Sequence, residues 1–209
     1  MTKRVPPQLL AGIAAVLVTA GGAGIVYNAT QGASDLAKNE YIQAVRADTT
    51  TSEAVKVAMV MGSFYESSYR HIGTPYLDRL GKGQPLTVCN GVTGPSVVAG
   101  KYYTPAECYA LERALYQGYE LYLNRDVASF DRLTPLQQAS FMDFLHNKGT
   151  GAWQKSSMRR VLMAGYVAQA CKQNERWKYG TVKGVSTVLP GLEVRANANA
   201  DLCAAGVLK

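Results

Sequence analysis

Histidine is scarce in this chain, with only His71 and His146 among 209 residues. Neither sits in an H-E-x-x-H spacing or beside a third ligand cluster, which argues against a zinc amidase or peptidase. No G-x-S-x-G sequence and no glycine-rich phosphate loop are present, so a serine nucleophile elbow and nucleotide chemistry are not indicated. Cys89, the cysteine nearest His71, reads more simply as half of a disulfide than as a nucleophile. Basic runs interleaved with aromatics are also missing, which removes the usual signature of a nucleic-acid binder.

The composition is ordinary for a globular protein, with 47% hydrophobic and 18% charged residues, so disorder is not the default. A net charge of +7 attracts polyanions, and without a nucleic-acid motif the anionic bacterial wall is the preferred partner. Cysteine is used four times, at Cys89, Cys108, Cys171 and Cys203. The absence of a C-x-x-C pair argues against zinc fingers and thioredoxin-like chemistry. In an exported chain disulfides are expected. Of the three connectivities, Cys89 with Cys108 and Cys171 with Cys203 is favoured, because each pair joins sequence neighbours and closes one subregion.

An export signal is indeed suggested. Lys3 and Arg4 precede an uncharged stretch from Leu9 to Tyr27, and 27 − 9 + 1 = 19 residues are enough for one helix across the hydrocarbon core. Its many glycines and alanines make it only weakly hydrophobic, so such a span is marginal. The basic flank holds the N-terminus in the cytoplasm and sends the rest of the chain to the periplasm. Three fates fit: cleavage as a signal peptide at the small residues Thr19–Gly24, retention as an anchor, or later departure from the membrane uncleaved.

Residues 1–31 therefore form an N-terminal segment, and 32–209 one further domain. A helix is expected from about Asp35 to Arg46. Thr50-Thr-Ser-Glu53 reads as a capping box opening a helix that ends near Glu66. Residues 72–98 hold too many glycines and prolines for a helix, and short strands such as Leu86–Cys89 fit a small β lobe. Thr104-Pro-Ala-Glu107 and Thr134-Pro-Leu-Gln137 each combine a capping box with proline at the first helical position. They open helices to about Asn124 and to Gly149. Shorter helices follow at about 157–164, 166–176 and 192–205.

Chemistry concentrates between Glu66 and Gly94. Glu66 ends an apolar run of Val55, Val57, Met59, Met61 and Phe64, which predicts a partly desolvated carboxyl at a helix C-terminus, where burial and the dipole both favour the proton-bearing form. Asp78 lies among Arg79, Lys82 and polar turn residues that favour its ionised form. A proton donor facing an ionised carboxylate is what glycosidic cleavage requires.

The order Glu66, Tyr76-Leu-Asp78, a glycine, then Thr87-Val-Cys-Asn-Gly-Val-Thr93 resembles the phage-type lysozymes, or endolysins, of glycoside hydrolase family 24. Supporting matches follow in the family's order at 144–151, Ser156-Ser157, Trp177 and 190–195, so the likeness covers roughly residues 52–205. The steps 78 − 66 = 12 and 87 − 78 = 9 are both longer than usual in that family. Val92 stands where a histidine is common, and Ala196 replaces the second arginine of a usual pair.

The resemblance implies an α+β, lysozyme-like fold: a mostly helical domain with a small β-hairpin lobe beside a cleft, after a weakly hydrophobic N-terminal transmembrane helix. It implies hydrolysis of the β-1,4 bond between N-acetylmuramic acid and N-acetylglucosamine, with no cofactor and no metal, by a monomer acting on peptidoglycan. Glu66 would be the general acid, Asp78 would stabilise the sugar cation or orient a water, and Thr87 would hold that water. Arg195 would pair with the acid, while His146 and Ser157 fall at sugar-contacting positions where packing or capping serves equally well. Among the three fates of residues 1–31 it favours the signal-arrest-release type, inserted in the host inner membrane and then freed to the periplasm. Two other readings remain: a lytic transglycosylase relying on Glu66 alone, and a non-catalytic, membrane-tethered wall-binding protein.

Overall fold

A computed structural model describes residues 4–17, 39–78 and 83–206. Helix α1 (Pro7–Leu17) carries Leu9, Ile13 and Val16 at helical spacing, and all three are buried. They pack on the following two helices, α2 (Glu40–Ala47) and α3 (Glu53–Ser67). The close approach depends on Gly12, because a Cβ there would collide with the Tyr69 hydroxyl and stand 3.0 Å from Val60. Arg4 pins the entry to this helix, reaching Glu175 at 2.7 Å, Asn197 at 3.2 Å and the Asp201 carboxylate. The expected span from Leu9 to Tyr27 coincides with α1 as far as Leu17. Its remainder and the boundary at 31 lie outside the described residues. Among the described residues no helix is long and apolar enough to cross a membrane.

Helix α2 is capped by Asn39, whose side chain accepts the Tyr41 and Ile42 amides. Helix α3 begins differently from expectation. Ser52, not Thr50, caps it by accepting the Val55 N–H at 3.2 Å, while Thr50 and Thr51 instead donate their hydroxyls to Asp48 at 2.7 Å each. Residues 54–63 are buried throughout, so α3 runs through the middle of the molecule. Its exit is tight: Ser68 and Tyr69 both take left-handed conformations, with φ of 53° and 64°.

Strands β1 (Tyr76–Leu77), β2 (Leu86–Val88) and β3 (Val92–Thr93) form an antiparallel sheet in sequence order, with Tyr76 opposite Thr87 and Thr87 opposite Thr93. This is the expected small lobe, with its own core of Val88, Val92 and Tyr103. Helix α4 (Pro105–Asp126) and helix α5 (Pro135–Lys155) open on the two predicted capping boxes. Gly149, at φ 77°, interrupts α5 as expected, but the helix resumes for its last turn.

Then come α6 (Ser157–Met163), α7 (Val167–Lys172), a 3₁₀ turn at Gln173–Arg176 and α8 (Pro190–Ala205). The single helix expected over 166–176 is thus an α-helix continued as 3₁₀. An unexpected hairpin, β4 (Tyr179–Val182) with β5 (Val185–Val188), precedes α8. Its local logic is β-branched residues around Lys183-Gly184, both at positive φ, as a two-residue hairpin turn requires. The main core joins α1, α3, α5 and α8 through side chains such as Ile13, Met61, Phe141, Met142 and Leu202. Disulfides link Cys89 to Cys108, tying the sheet to α4, and Cys171 to Cys203, tying α7 to α8.

Candidate active site

Glu66 occupies the last turn of α3, and its side chain is 30% exposed. That is more open than the desolvated position expected from the apolar run, because the run faces inward while the helix ends at the surface. Its partner comes from α8. Arg195 Nη1 lies 2.6 Å from Glu66 Oε1, and the guanidinium is itself buried.

A buried cation must be paired, and this one is paired twice. Arg195 Nε and Nη2 donate to the two oxygens of Asp143 at 2.9 and 2.8 Å, and the Tyr65 ring lies 4.9 Å from the guanidinium carbon. Asn199 also donates its amide to Asp143. Burial alone would pull the Arg195 pKa down, but the Asp143 and Glu66 charges hold it above the ordinary range. Sequence reasoning missed Asp143, whose neighbours Phe141, Phe144 and Leu145 mark the helix as core. The available signal was an acid inside a core-facing apolar run, which demands a buried partner.

His146 completes this side. Its ring packs against Tyr116 and Tyr119, with centroids 5.1 and 6.2 Å away, and its side chain is 3% exposed. The structure thus shows the packing half of what was expected of it. Burial, reinforced by the Arg195 charge, lowers its pKa. Its Nε2 stands 3.7 Å from Glu66 Oε1. Gly91 closes the wall: at φ 84° and with a Cβ position 2.8 Å from His146 Nε2, it has no room for a side chain.

The sheet supplies the other side. Asp78 directly follows β1, and its N–H donates to the Pro85 carbonyl at 3.0 Å. The Thr87 hydroxyl donates to the same carbonyl at 3.2 Å. Asp78 and Thr87 thus hang from one oxygen. Tyr76, paired across the sheet with Thr87, has its phenol pKa raised by burial first and then by both Glu66 and Asp78, so it lies within the field of both acids. Ser157 is placed elsewhere: it donates to Gln173 at 2.7 Å beside a basic recess lined by Lys155, Arg160 and Arg176.

Among the described residues, Cys89, Cys108 and Glu112 bring donor-type atoms within 4.8 Å of one another. The two sulfurs are bonded to each other, so this group is not a metal site.

A helical body carrying one carboxyl group, set beside a small antiparallel sheet carrying a second and a hydroxyl, defines a lysozyme-like protein. Comparison with known proteins narrows the class. The phage lysozyme family model matches residues 71–199, and the chain belongs to that family, which makes it a glycoside hydrolase. A SAR-endolysin of bacteriophage PS119 is 31% identical over 138 residues, covering 62% of this chain and 72% of that protein. The active form of the P1 phage endolysin Lyz superposes with a TM-score of 0.62 at 16% identity, over 80% of this chain and 93% of its own. The muramidase domain of SpmX from Asticcacaulis excentricus gives 0.60 at 21% identity, over 69% and 92%.

Proposed function

We propose that this chain is a peptidoglycan-degrading endolysin that cleaves the β-1,4 bond between N-acetylmuramic acid and N-acetylglucosamine, with Glu66 as the acid and Asp78 and Thr87 handling the water. The observation that carries the reading is the pairing of Glu66 with Arg195 at a helix end beside a sheet where Asp78 and Thr87 share the Pro85 carbonyl.

Glu66 gives its proton to the oxygen leaving between two sugars as the glycosidic carbon–oxygen bond breaks. The carboxylate left behind is met by Arg195. Because the Thr87 hydroxyl already donates to Pro85, its lone pairs are free to accept one hydrogen of a water. Asp78 accepts the other hydrogen and takes that proton as the water oxygen bonds to the anomeric carbon. An inverting course of this kind requires the two carboxyl groups to stand roughly 6.5–9.5 Å apart, leaving room for the water.

Residues 1–31, in this reading, carry the chain into the inner membrane with the N-terminus in the cytoplasm, and the domain of 32–209 then acts in the periplasm as a monomer. Support comes from the SAR-endolysin relatives and from α1, whose apolar face lies in the same core as α3. A released segment has somewhere to go.

The test is lysis of purified peptidoglycan by wild type and Glu66→Gln, with analysis of products. Reducing sugar ends released by wild type and lost in the variant are expected. Anhydromuramic ends would select the transglycosylase instead, and undiminished lysis by the variant would remove Glu66 from the chemistry.

A further inference from the structure

Glu112, on α4, is wholly buried and takes no part in the chemistry above. Its described partners are neutral donors: the Asn90 N–H at 3.0 Å, the Asn90 amide at 3.0 and 3.1 Å, and the Tyr41 hydroxyl from α2. A carboxyl group without a cation is an expensive filler for a core position, where an apolar residue would be more stable. What it provides is geometry. Three of its contacts hold one residue, Asn90, at the turn between β2 and β3, one turn of α4 beyond the Cys89–Cys108 bond. The next residue, Gly91, is the one packed against His146 and Glu66.

We propose that Glu112, with Tyr41, is a positioning residue of the active site: it clamps the Asn90–Gly91 turn onto α4 and so fixes the wall on which His146 and Glu66 rest. The inference depends on Glu66 being the acid. A second consequence follows from charge. Glu112 is pushed up to about 7 by burial, with the Glu66 charge adding to the rise and Tyr41 and Asn90 working against it. The titratable groups facing it are Tyr41 from α2, Glu66 from α3 and Tyr116 from its own helix.

The experiment uses the full chain with Glu112→Gln, Tyr41→Phe and, as control, Glu66→Gln, assayed on peptidoglycan across pH alongside thermal melts. The Glu112→Gln change is isosteric: the new amide can accept both Asn90 donors through its carbonyl while the charge is removed. Expected is a fall in kcat of roughly two- to ten-fold at unchanged KM in each of Glu112→Gln, which turns one acceptor oxygen into an NH2, and Tyr41→Phe, the worth of one hydrogen bond. If either response is missing, the clamp is wrong, whatever happens to the melting temperature. Should Glu112→Gln fail to fold, Tyr41→Phe decides alone. Lysis retained in Glu66→Gln would sink the reading beneath, whereas lysis lost there with both clamp variants unaltered sinks the clamp only.

Discussion

Arg195 meets Glu66 through one nitrogen, at 2.6 Å, because its other two hydrogen-bonding nitrogens are taken by Asp143 at 2.9 and 2.8 Å. The fork geometry of a guanidinium makes this division possible, and a lysine could not reproduce it. Asp143 balances the cation and so fixes Arg195 in place against Glu66.

Asp143→Asn tests that balance. It removes the counter-charge of a buried guanidinium and turns one of its two acceptor oxygens into an NH2, a loss of about 3–5 kcal/mol. Denaturant unfolding should show it, and lysis should fall with it.

Gly91→Ala should cost both stability and activity. Its positive φ carries a penalty of about 1–3 kcal/mol for a residue with a Cβ, and the new methyl would meet His146 at 2.8 Å. Gly94→Ala is the control: it shares a positive φ, at 97°, but its Cβ would meet nothing within 4 Å. The control should melt lower yet lyse normally.

Stability should decline with rising pH through the near-neutral range. Glu112 shifts from 4.5 to about 7 on folding, so the folded state keeps a proton that the unfolded chain has lost. The stabilisation is complete below about 4.5 and disappears by about 7, a change of up to about 3 kcal/mol. Melts of wild type at pH 5 and pH 8 should differ by more than those of Glu112→Gln.

The two disulfides should separate in their effects. Replacing Cys89 and Cys108 by serine opens a crosslink of sequence separation 19, and replacing Cys171 and Cys203 opens one of 32. Each should cost about 3 kcal/mol on loop entropy. Lysis at low temperature should drop only for the first pair, which holds the turn beneath Glu66.

Gly12→Val should dislodge α1. No side chain fits between α1 and Tyr69, and undocking exposes Leu9, Ile13 and Val16. Limited proteolysis should then cut before residue 39 faster than in wild type, with a lowered melting temperature.

Local chemistry is legible where partners lie a few residues apart. Thr104 with Glu107 and Thr134 with Gln137 mark helix starts because both halves of each cap sit within one turn. The density of glycine and proline over 72–98 marks the sheet for the same reason. Thr50 misleads, since Asp48 outcompetes the helix for its hydroxyl and leaves the cap to Ser52. The β4–β5 hairpin has its turn signal in Lys183-Gly184 and the flanking valines, but it lacks the alternation that marks a half-buried strand. Its strands are mostly exposed on both faces.

From the sequence alone came the two-acid motif, its likeness to phage lysozymes, the caps at Thr104 and Thr134 and a favoured choice among three disulfide pairings, all read from residue type and spacing along the chain. Tertiary structure alone decided that Glu66 is gripped by a residue 129 positions away, that Asp143 is its counterweight, that His146 is walled in by two tyrosines, and that the N-terminal apolar face lies in the core. The physical reason is common to all four. A buried charge or an apolar face is defined by what lies against it, and those neighbours come from distant helices whose arrangement leaves no trace in local spacing.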